Sequence, residues 1–161
     1  MVDCLQGDSG PTSRLGGLLI DEPYQQAFMN LIELAAVSQA ELTERHPYPI
    51  AFDQYGMAAL DRIAHDLWQG GWSAQSPEFA WYVKAMGGVL ACTMLQFGNS
   101  IIAFRAKDNF NNFSVYVART QSEFFPFHKI TKLLTTAASG TVCDYYQAFT
   151  APDAAPDAAP G

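Results

Sequence analysis

The sequence predicts a single α+β domain, in which N-terminal helices and one central buried helix pack on a small antiparallel sheet, a hairpin, followed by two short C-terminal helices. Two observations support this fold class. The stretch 76–96 is almost entirely apolar and begins at a helix-start signal. The two short runs after it, 101–106 and 113–119, are rich in aliphatic and aromatic residues. A length of 161 residues suits one domain with a substantial core.

The composition restricts the classes of function. The formal net charge is −7 and the nine Lys and Arg residues are scattered, which disfavours a nucleic-acid surface. Cys4, Cys92 and Cys143 are too few and too widely spaced for a disulfide framework or a zinc site. The longest largely apolar run, 83–95, is shorter than the roughly 20 residues that a membrane span needs, and the N-terminus does not resemble a signal peptide. We therefore expect a cytoplasmic protein with no metal, no cofactor, no nucleic acid and no membrane contact, and make no prediction of its oligomeric state.

The N-terminal half is predicted to contain a mobile segment and two helices. Residues 1–20 are rich in Gly, Ser and Asp, and we expect them to be mobile, with the apolar stretch 15–20 able to dock on the domain, which itself spans 21–149. Asp21 and Pro23 are typical of a helix start, and the Pro-rich stretch after Arg45 ends that helix. Asp53 is predicted to cap the second helix, which ends at the glycine pair 70–71.

The third predicted helix begins after Ser76 and is apolar on all sides, which indicates burial on several sides. Gly87 and Gly88 each cost about 1 kcal/mol relative to Ala inside a helix. We therefore predict that another element crosses the helix closely at this pair.

The C-terminal half is predicted to contain a hairpin, two short helices and a tail. The link 107–112 has the composition of a turn, residues 121–125 extend the sheet, and Pro126 opens a helix. The segment 139–141 ends that helix and caps the last one, over 142–149. Residues 150–161 repeat the sequence PDAA, and we expect this tail to be disordered.

Three stretches resemble a family of bacterial domains. FDQYGMAALDRIAHDLW is similar to a helix of the form "D..S...LD..I", WYVKAMGGVLACTMLQFGNSI resembles a helix-to-strand junction, and FPFHKITKLLTTAASGTVCDYY resembles a closing segment. Together they cover roughly 51–149 and resemble the DUF3806-like domains of unknown function. The resemblance implies an α+β fold and a bacterial origin, and it implies no activity.

One set of residues has catalytic potential. His128 begins the first short C-terminal helix, and Cys143 and Asp144 begin the second, so the fold can bring a thiol, an imidazole and a carboxylate together. A helix N-terminus at Thr141 would lower the pKa of the Cys143 thiol. A buried, unreactive Cys143 is the alternative interpretation. Asp61 and His65, four residues apart on the second helix, are interpreted as a solvated surface pair, with an acid/base dyad that faces a cleft as the alternative.

The hairpin supplies the candidate binding residues. Phe104, Phe113 and Phe127 are assigned to the core by strand and helix periodicity. Phe110 lies at the tip of the turn, where burial is difficult. The predicted binding residues are Phe110, Lys107, Arg105 and Tyr116.

Three hypotheses follow from these residues. The first is a non-enzymatic interaction module, of accessory or immunity type, that binds another protein at its sheet edge or aromatic hairpin. The second is a small thiol- or histidine-dependent hydrolase or transferase that uses Cys143, His128 and Asp144. The third is ligand storage in a pocket beside the glycine pair 87–88.

Overall fold

A computed structural model describes residues 12–15, 18–96, 102–105, 113–118, 120–136 and 140–151. The α+β prediction is confirmed. In chain order the strands are β1 (Thr12–Leu15), β2 (Leu18–Asp21), β3 (Ile102–Arg105), β4 (Ser114–Val117) and β5 (Ser122–Phe124). The helices are α1 (Gln25–Arg45), which follows a 3-10 turn at Glu22–Tyr24, then α2 (Gln54–Gln69), α3 (Phe79–Gln96), α4 (Pro126–Thr135) and α5 (Val142–Thr150).

The helix boundaries follow the local signals of the sequence. The Asp53 side chain accepts hydrogen bonds from the backbone N–H groups of Tyr55 and Gly56, so it caps α2 as predicted. Gly70 ends that helix, and Pro126 occupies the first turn of α4. The Thr141 side chain accepts from the N–H of Asp144 and caps α5.

The sheet is larger than predicted and is mixed, not purely antiparallel. Its strand order is β1-β2-β3-β4-β5. β2 and β3 run parallel, with Ile20 opposite Phe104, while the other three neighbouring pairs are antiparallel. A parallel pair needs a long crossover, and here α1, α2 and α3 lie between the two strands in the chain.

The segment 1–20, predicted to be mobile with a docking stretch over 15–20, lies in the sheet where the structure describes it. Residues 12–15 and 18–20 belong to the β1–β2 hairpin, and Leu18 and Ile20 are buried. These apolar side chains join the core because β2 pairs with β3, a contact too distant in sequence to be inferred locally. The predicted disorder of 150–161 falls, beyond Ala151, outside the described residues.

The centre of the domain is α3, which is buried on nearly all sides between α1 and α4. Every residue from Tyr82 to Leu95 except Lys84 is buried. The predicted close crossing at the glycine pair is confirmed. A Cβ atom on Gly87 would lie 2.3 Å from a ring carbon of Phe127, and one on Gly88 would lie 3.2 Å from Cγ of Leu34. Both glycines therefore give room to a neighbouring helix.

The two faces of the sheet differ in what covers them. Phe104, Val115 and Phe124 share the face that meets the helices; the Phe104 ring lies 5.4 Å from that of Phe28 on α1. Phe104, Phe113 and Phe127 are buried, which confirms their assignment to the core. The opposite face carries one residue from each of β2 to β5, a row that is part apolar and part polar: Leu19, Ala103, Tyr116 and Glu123. Arg105 lies beside this row.

Candidate functional site

The structure brings two of the four predicted binding residues together. The guanidinium carbon of Arg105 lies 4.5 Å from the ring centroid of Tyr116, across the β3–β4 pair on the face that points away from the helices. Both side chains are half-buried. Phe110 and Lys107 lie outside the described residues. Arg105 and Tyr116 therefore form a defined contact on the outer face, beside Ser114, whose hydroxyl donates to the Glu123 carboxylate.

The predicted catalytic residues do not form a hydrogen-bonded set. His128 is exposed, and its ring stacks on Phe125 with a centroid distance of 5.5 Å and an interplanar angle of 25°. Cys143 and Asp144 lie in the first turn of α5. Among these described residues, no hydrogen bond joins His128 to Cys143 or Asp144. The imidazole is therefore not placed as the base of a thiol nucleophile.

The partner of Cys143 is Asp61, which sequence reasoning had placed on a solvated surface. The Asp61 carboxylate accepts from the backbone N–H groups of Val142 at 2.7 Å and Cys143 at 3.0 Å. It thus caps the N-terminus of α5 from the middle of α2, while His65 is exposed. The interpretation of Asp61 and His65 as a surface pair is wrong for Asp61, because the free N–H groups of a helix start attract a carboxylate.

The pKa of the Cys143 thiol is raised in the structure, whereas the sequence predicts that a helix N-terminus lowers it. Burial first, and then the hydrogen bond and negative charge of Asp61, raise the pKa of Cys143 to about 11. The predicted lowering by the helix N-terminus is wrong, because the carboxylate already occupies that N-terminus. At neutral pH the thiol is protonated and a weak nucleophile.

A groove lies beside these residues, where β5 passes into α4. It has a volume of about 450 Å³, within the range of ligand pockets in proteins. Its lining residues come from β5, the first two turns of α4, and α5: Glu123, Phe124, Phe125, His128, Lys129, Lys132 and Tyr145. The groove follows the edge of the sheet, because β5 pairs only with β4 in the described part of the chain.

Aromatic packing fixes the floor of this groove. The ring of Phe124 meets those of Tyr145 and Phe149 edge to face, at centroid distances of 5.7 Å and 5.2 Å. Burial raises the pKa of Tyr145 to about 12, opposed by a hydrogen bond with the backbone of Phe125. The floor is therefore a rigid aromatic surface that joins β5 to α5.

The polar residues that line the groove are of mixed character, with the exposed carboxylate of Glu123 on β5 and the side chains of His128, Lys129 and Lys132 on α4. His128 and Lys132 lie one turn apart on α4 and are exposed, while Lys129 is half-buried. The Lys129 ammonium donates to the carbonyl of Gly140 at 3.1 Å and lies 6.0 Å from the Tyr145 ring. Burial lowers the pKa of Lys129, and the charges of Asp61 and Asp144 oppose that effect. The sequence identifies His128 as a candidate, but as the base of a thiol site rather than as a residue that lines a groove.

Two other cavities adjoin the core. One, of about 440 Å³, lies between α2 and the start of α5 and is lined in part by Asp61, His65 and Trp68. The other, of about 120 Å³, is apolar and includes Phe28, Ile32 and Cys92; burial raises the pKa of the Cys92 thiol. Phe127 and Leu34 fill the space beside Gly87 and Gly88, so the structure does not provide the predicted storage pocket there.

The part of the chain that the structure describes contains neither a metal-binding cluster nor a helix suited to crossing a membrane. No group of three or more His, Cys, Asp or Glu side chains there is placed to hold a metal ion. No helix in the same part of the chain is both long and apolar enough to cross a membrane.

Comparison of the chain with protein-family models, with curated proteins and with solved structures returned no match.

Proposed function

We propose that this domain is a non-enzymatic interaction module that binds a segment of another protein in the groove between β5, α4 and α5. The observation that carries the proposal is the groove itself, in which aromatic side chains lie among polar residues of both charges beside the last strand of the sheet. Sheet edges and aromatic grooves are recurrent sites for peptide segments, and aromatic side chains are enriched among the residues that dominate binding energy.

The state of the thiol separates this proposal from the enzyme hypothesis. A cysteine hydrolase or transferase needs a thiolate and a nearby base. A Cys143 pKa of about 11 argues against the thiolate, and the neighbouring Asp61 carboxylate, which accepts from backbone N–H groups, stands where the imidazole base is required. No feature of the groove requires chemistry, whereas its shape and side chains suit binding.

The sequence supports the cellular context that we propose for this module. The lack of a disulfide framework and the resemblance to DUF3806-like domains favour a bacterial cytoplasmic protein, and an acidic chain of this size suits an accessory or immunity-type factor. Tyr116 lies on β4 opposite Glu123 of the groove strand, and Arg105 of β3 packs on its ring, so this outer-face pair extends the proposed surface toward the predicted hairpin.

A selection from a displayed library of random peptides tests the proposal. We expect a family of sequences to enrich on the parent protein. Binding of a fluorescein-labelled member, measured by anisotropy, should weaken at least about tenfold in Phe125→Ala, because truncating an aromatic contact in a binding groove removes a large share of the binding energy. Tyr55→Ala is the matched control, since Tyr55 is 72% exposed and lies outside the groove.

Two outcomes contradict the proposal. One is the absence of any enriched family. The other is an enriched family whose affinity is unchanged in Phe125→Ala, provided that thermal unfolding shows this variant to be folded. A Phe110→Ala variant measured in parallel reports whether the predicted hairpin tip contributes.

A further inference from the structure

Exposed apolar side chains are concentrated on α1. Met29, Ile32 and Val37 are 54%, 39% and 56% exposed, and of the other large apolar residues that the structure describes only Tyr55, on α2, is also exposed. Single exposed apolar residues are ordinary in proteins, but three on one helix, on the side turned away from the core, form a patch. Patches of this kind are typical of surfaces that contact another molecule.

Helix geometry arranges this side of α1 into two neighbouring rows, because residues three or four positions apart lie on the same face. The apolar row is exposed along its whole length and consists of Met29, Ile32, Ala36 and Ala40. The acidic row runs beside it, is also exposed, and consists of Glu33, Val37, Glu41 and Glu44. At 1.5 Å per residue the two rows together extend over about 22 Å, which is four turns of helix.

The carboxylates of the acidic row have no cationic partner. In the described part of the chain, no hydrogen bond or ion pair involves any of their side chains, and Lys84, the one charged residue of α3, does not pair with them. Arg45, the one cation of α1, lies 3.2 Å from the carboxylate of Glu78 and stacks on the ring of Trp81 at 3.9 Å. The exposed side of α1 therefore carries negative charge that the fold does not balance.

An apolar cavity adjoins the apolar row near its N-terminal end. It has a volume of about 120 Å³ and lies between α1, α3 and β2, with Phe28, Leu95 and Leu18 in its wall. Ile32 belongs both to this wall and to the apolar row, so the cavity continues the exposed surface. Small apolar pockets of this kind hold the anchor side chains that dominate the energy of many interfaces.

The charges of α1 disfavour a second copy of this chain as the occupant. A copy that packed its own α1 on this side would bring further carboxylates to the contact, and its one α1 cation, Arg45, is already paired. Like charges that meet across an interface reduce affinity. A partner with basic side chains would instead give each carboxylate of the acidic row an opposite charge.

We infer that α1 binds a basic amphipathic helix of a partner protein, at a surface separate from the groove. The apolar side chains of this helix, spaced three and four residues apart, pack on the apolar row, and one of them enters the cavity beside Ile32. Its Lys or Arg side chains meet the acidic row. The inference goes beyond the proposed function, because neither row contributes a residue to the groove.

Selection from a displayed library of helical peptides, with randomised positions on a fixed helix, tests the inference. We expect an enriched family with apolar residues at spacings of three and four and with more Lys and Arg than the input library. Binding of a fluorescein-labelled member, measured by anisotropy, should weaken at least about tenfold in the double variant Met29→Ser/Val37→Ser, which removes two apolar contacts. Tyr55→Ser removes an exposed apolar side chain on α2 and is the matched control.

A second pair of variants tests the acidic row. Glu33→Gln and Gln147→Lys each raise the net charge by one, the first within the acidic row and the second at an exposed residue of α5. Glu33→Gln should weaken the labelled peptide by roughly threefold, the effect of losing one exposed ion pair, and Gln147→Lys should have less effect. Thermal unfolding of each variant shows that it is folded.

Four results contradict the inference. They are the absence of any enriched family, a family rich in Asp and Glu, equal binding by the parent and the Met29→Ser/Val37→Ser variant, and equal losses in Glu33→Gln and Gln147→Lys. A dimer detected by sedimentation and abolished by the Met29→Ser/Val37→Ser variant would make a second copy the occupant and would overturn it too. Binding that is lost in Phe125→Ala but retained in that double variant supports the proposed function and overturns this inference, so the two fail separately.

Discussion

Replacing Asp61 with Ala removes the bond between the middle of α2 and the start of α5. Two backbone N–H groups, of Val142 and Cys143, lose a charged acceptor at 2.7 Å and 3.0 Å. A hydrogen bond to a charged group contributes about 1.5–3 kcal/mol, but the site is only partly buried and water can replace the carboxylate in part. We expect the free energy of unfolding to fall by about 2–3 kcal/mol, which lowers the Tm by roughly 5–10 °C for a domain of this size.

The reactivity of the Cys143 thiol tests the same contact with Asp61 independently of protein stability. Asp61→Asn keeps the size of the side chain but removes its charge, so the pKa of Cys143 should fall from about 11, although burial continues to raise it. Labelling with iodoacetamide near pH 9, with the modified site located by mass spectrometry, should be several-fold faster in this variant. Urea unfolding of the parent, Asp61→Ala and Asp61→Asn supplies the free energies.

Thr141→Ala is the control for this prediction. It removes the cap on the Asp144 N–H at 3.0 Å and should cost about 1 kcal/mol. It should leave the reactivity of Cys143 unchanged, because the groups that raise the pKa of that thiol, besides burial, are Asp61 and Asp144. The reasoning is refuted if Asp61→Ala costs less than about 0.5 kcal/mol, the level of an ordinary surface substitution, or if labelling of Cys143 is equally fast in Asp61→Asn and the parent.

Three other predictions test the packing and the pH dependence. Gly87→Ala should lower the free energy of unfolding by about 2 kcal/mol in urea, because overlap with Phe127 outweighs the helix-propensity gain, whereas Gly88→Ala should stay within about 1 kcal/mol of the parent. Gly56→Ala should cost about 3 kcal/mol or more by the same assay, since its Cβ would lie 1.6 Å from the carbonyl oxygen of Ala51; a smaller loss would contradict this packing. Burial lowers the pKa of His46, against an opposing effect of Asp66, so the unfolded state binds more protons; thermal stability should fall as the pH drops below about 6.5, and less so in His46→Gln.

Local chemistry accounts for the parts of the fold that were predicted correctly. Asp53, Pro126 and Thr141 define helix starts within a few residues of chain, and the apolar surface of α3 requires burial whatever covers it. The glycine pair predicted a close crossing for the same reason, because its cost in helix propensity needs a compensating contact.

Distant pairings account for what was missed. The β2–β3 pair joins segments separated by three helices, and nothing within β2 identifies its partner. Asp61 bonds to groups 81 and 82 residues away, and an acidic residue on the outer side of α2 is typical of a solvated position. The groove was missed for the same reason, since Glu123, Lys132 and Tyr145 come from three elements whose arrangement depends on the sheet.

Tertiary hydrogen bonds hold the C-terminal end of α4, the helix that lines one side of the groove. At its C-terminal end, the indole N–H groups of Trp68 and Trp72 donate to the carbonyls of Leu133 at 3.2 Å and Leu134 at 2.8 Å, so tertiary bonds from α2 and the segment after it hold the helix in place. No comparable side chain caps its N-terminal end. The start of α1 likewise has no side-chain cap and no acidic residue in its first turn, so the uncapped start of α4 does not by itself mark a binding site. The groove is favoured over the outer-face pair Arg105 and Tyr116 for a different reason, because the cation of that pair already has an aromatic partner within the domain.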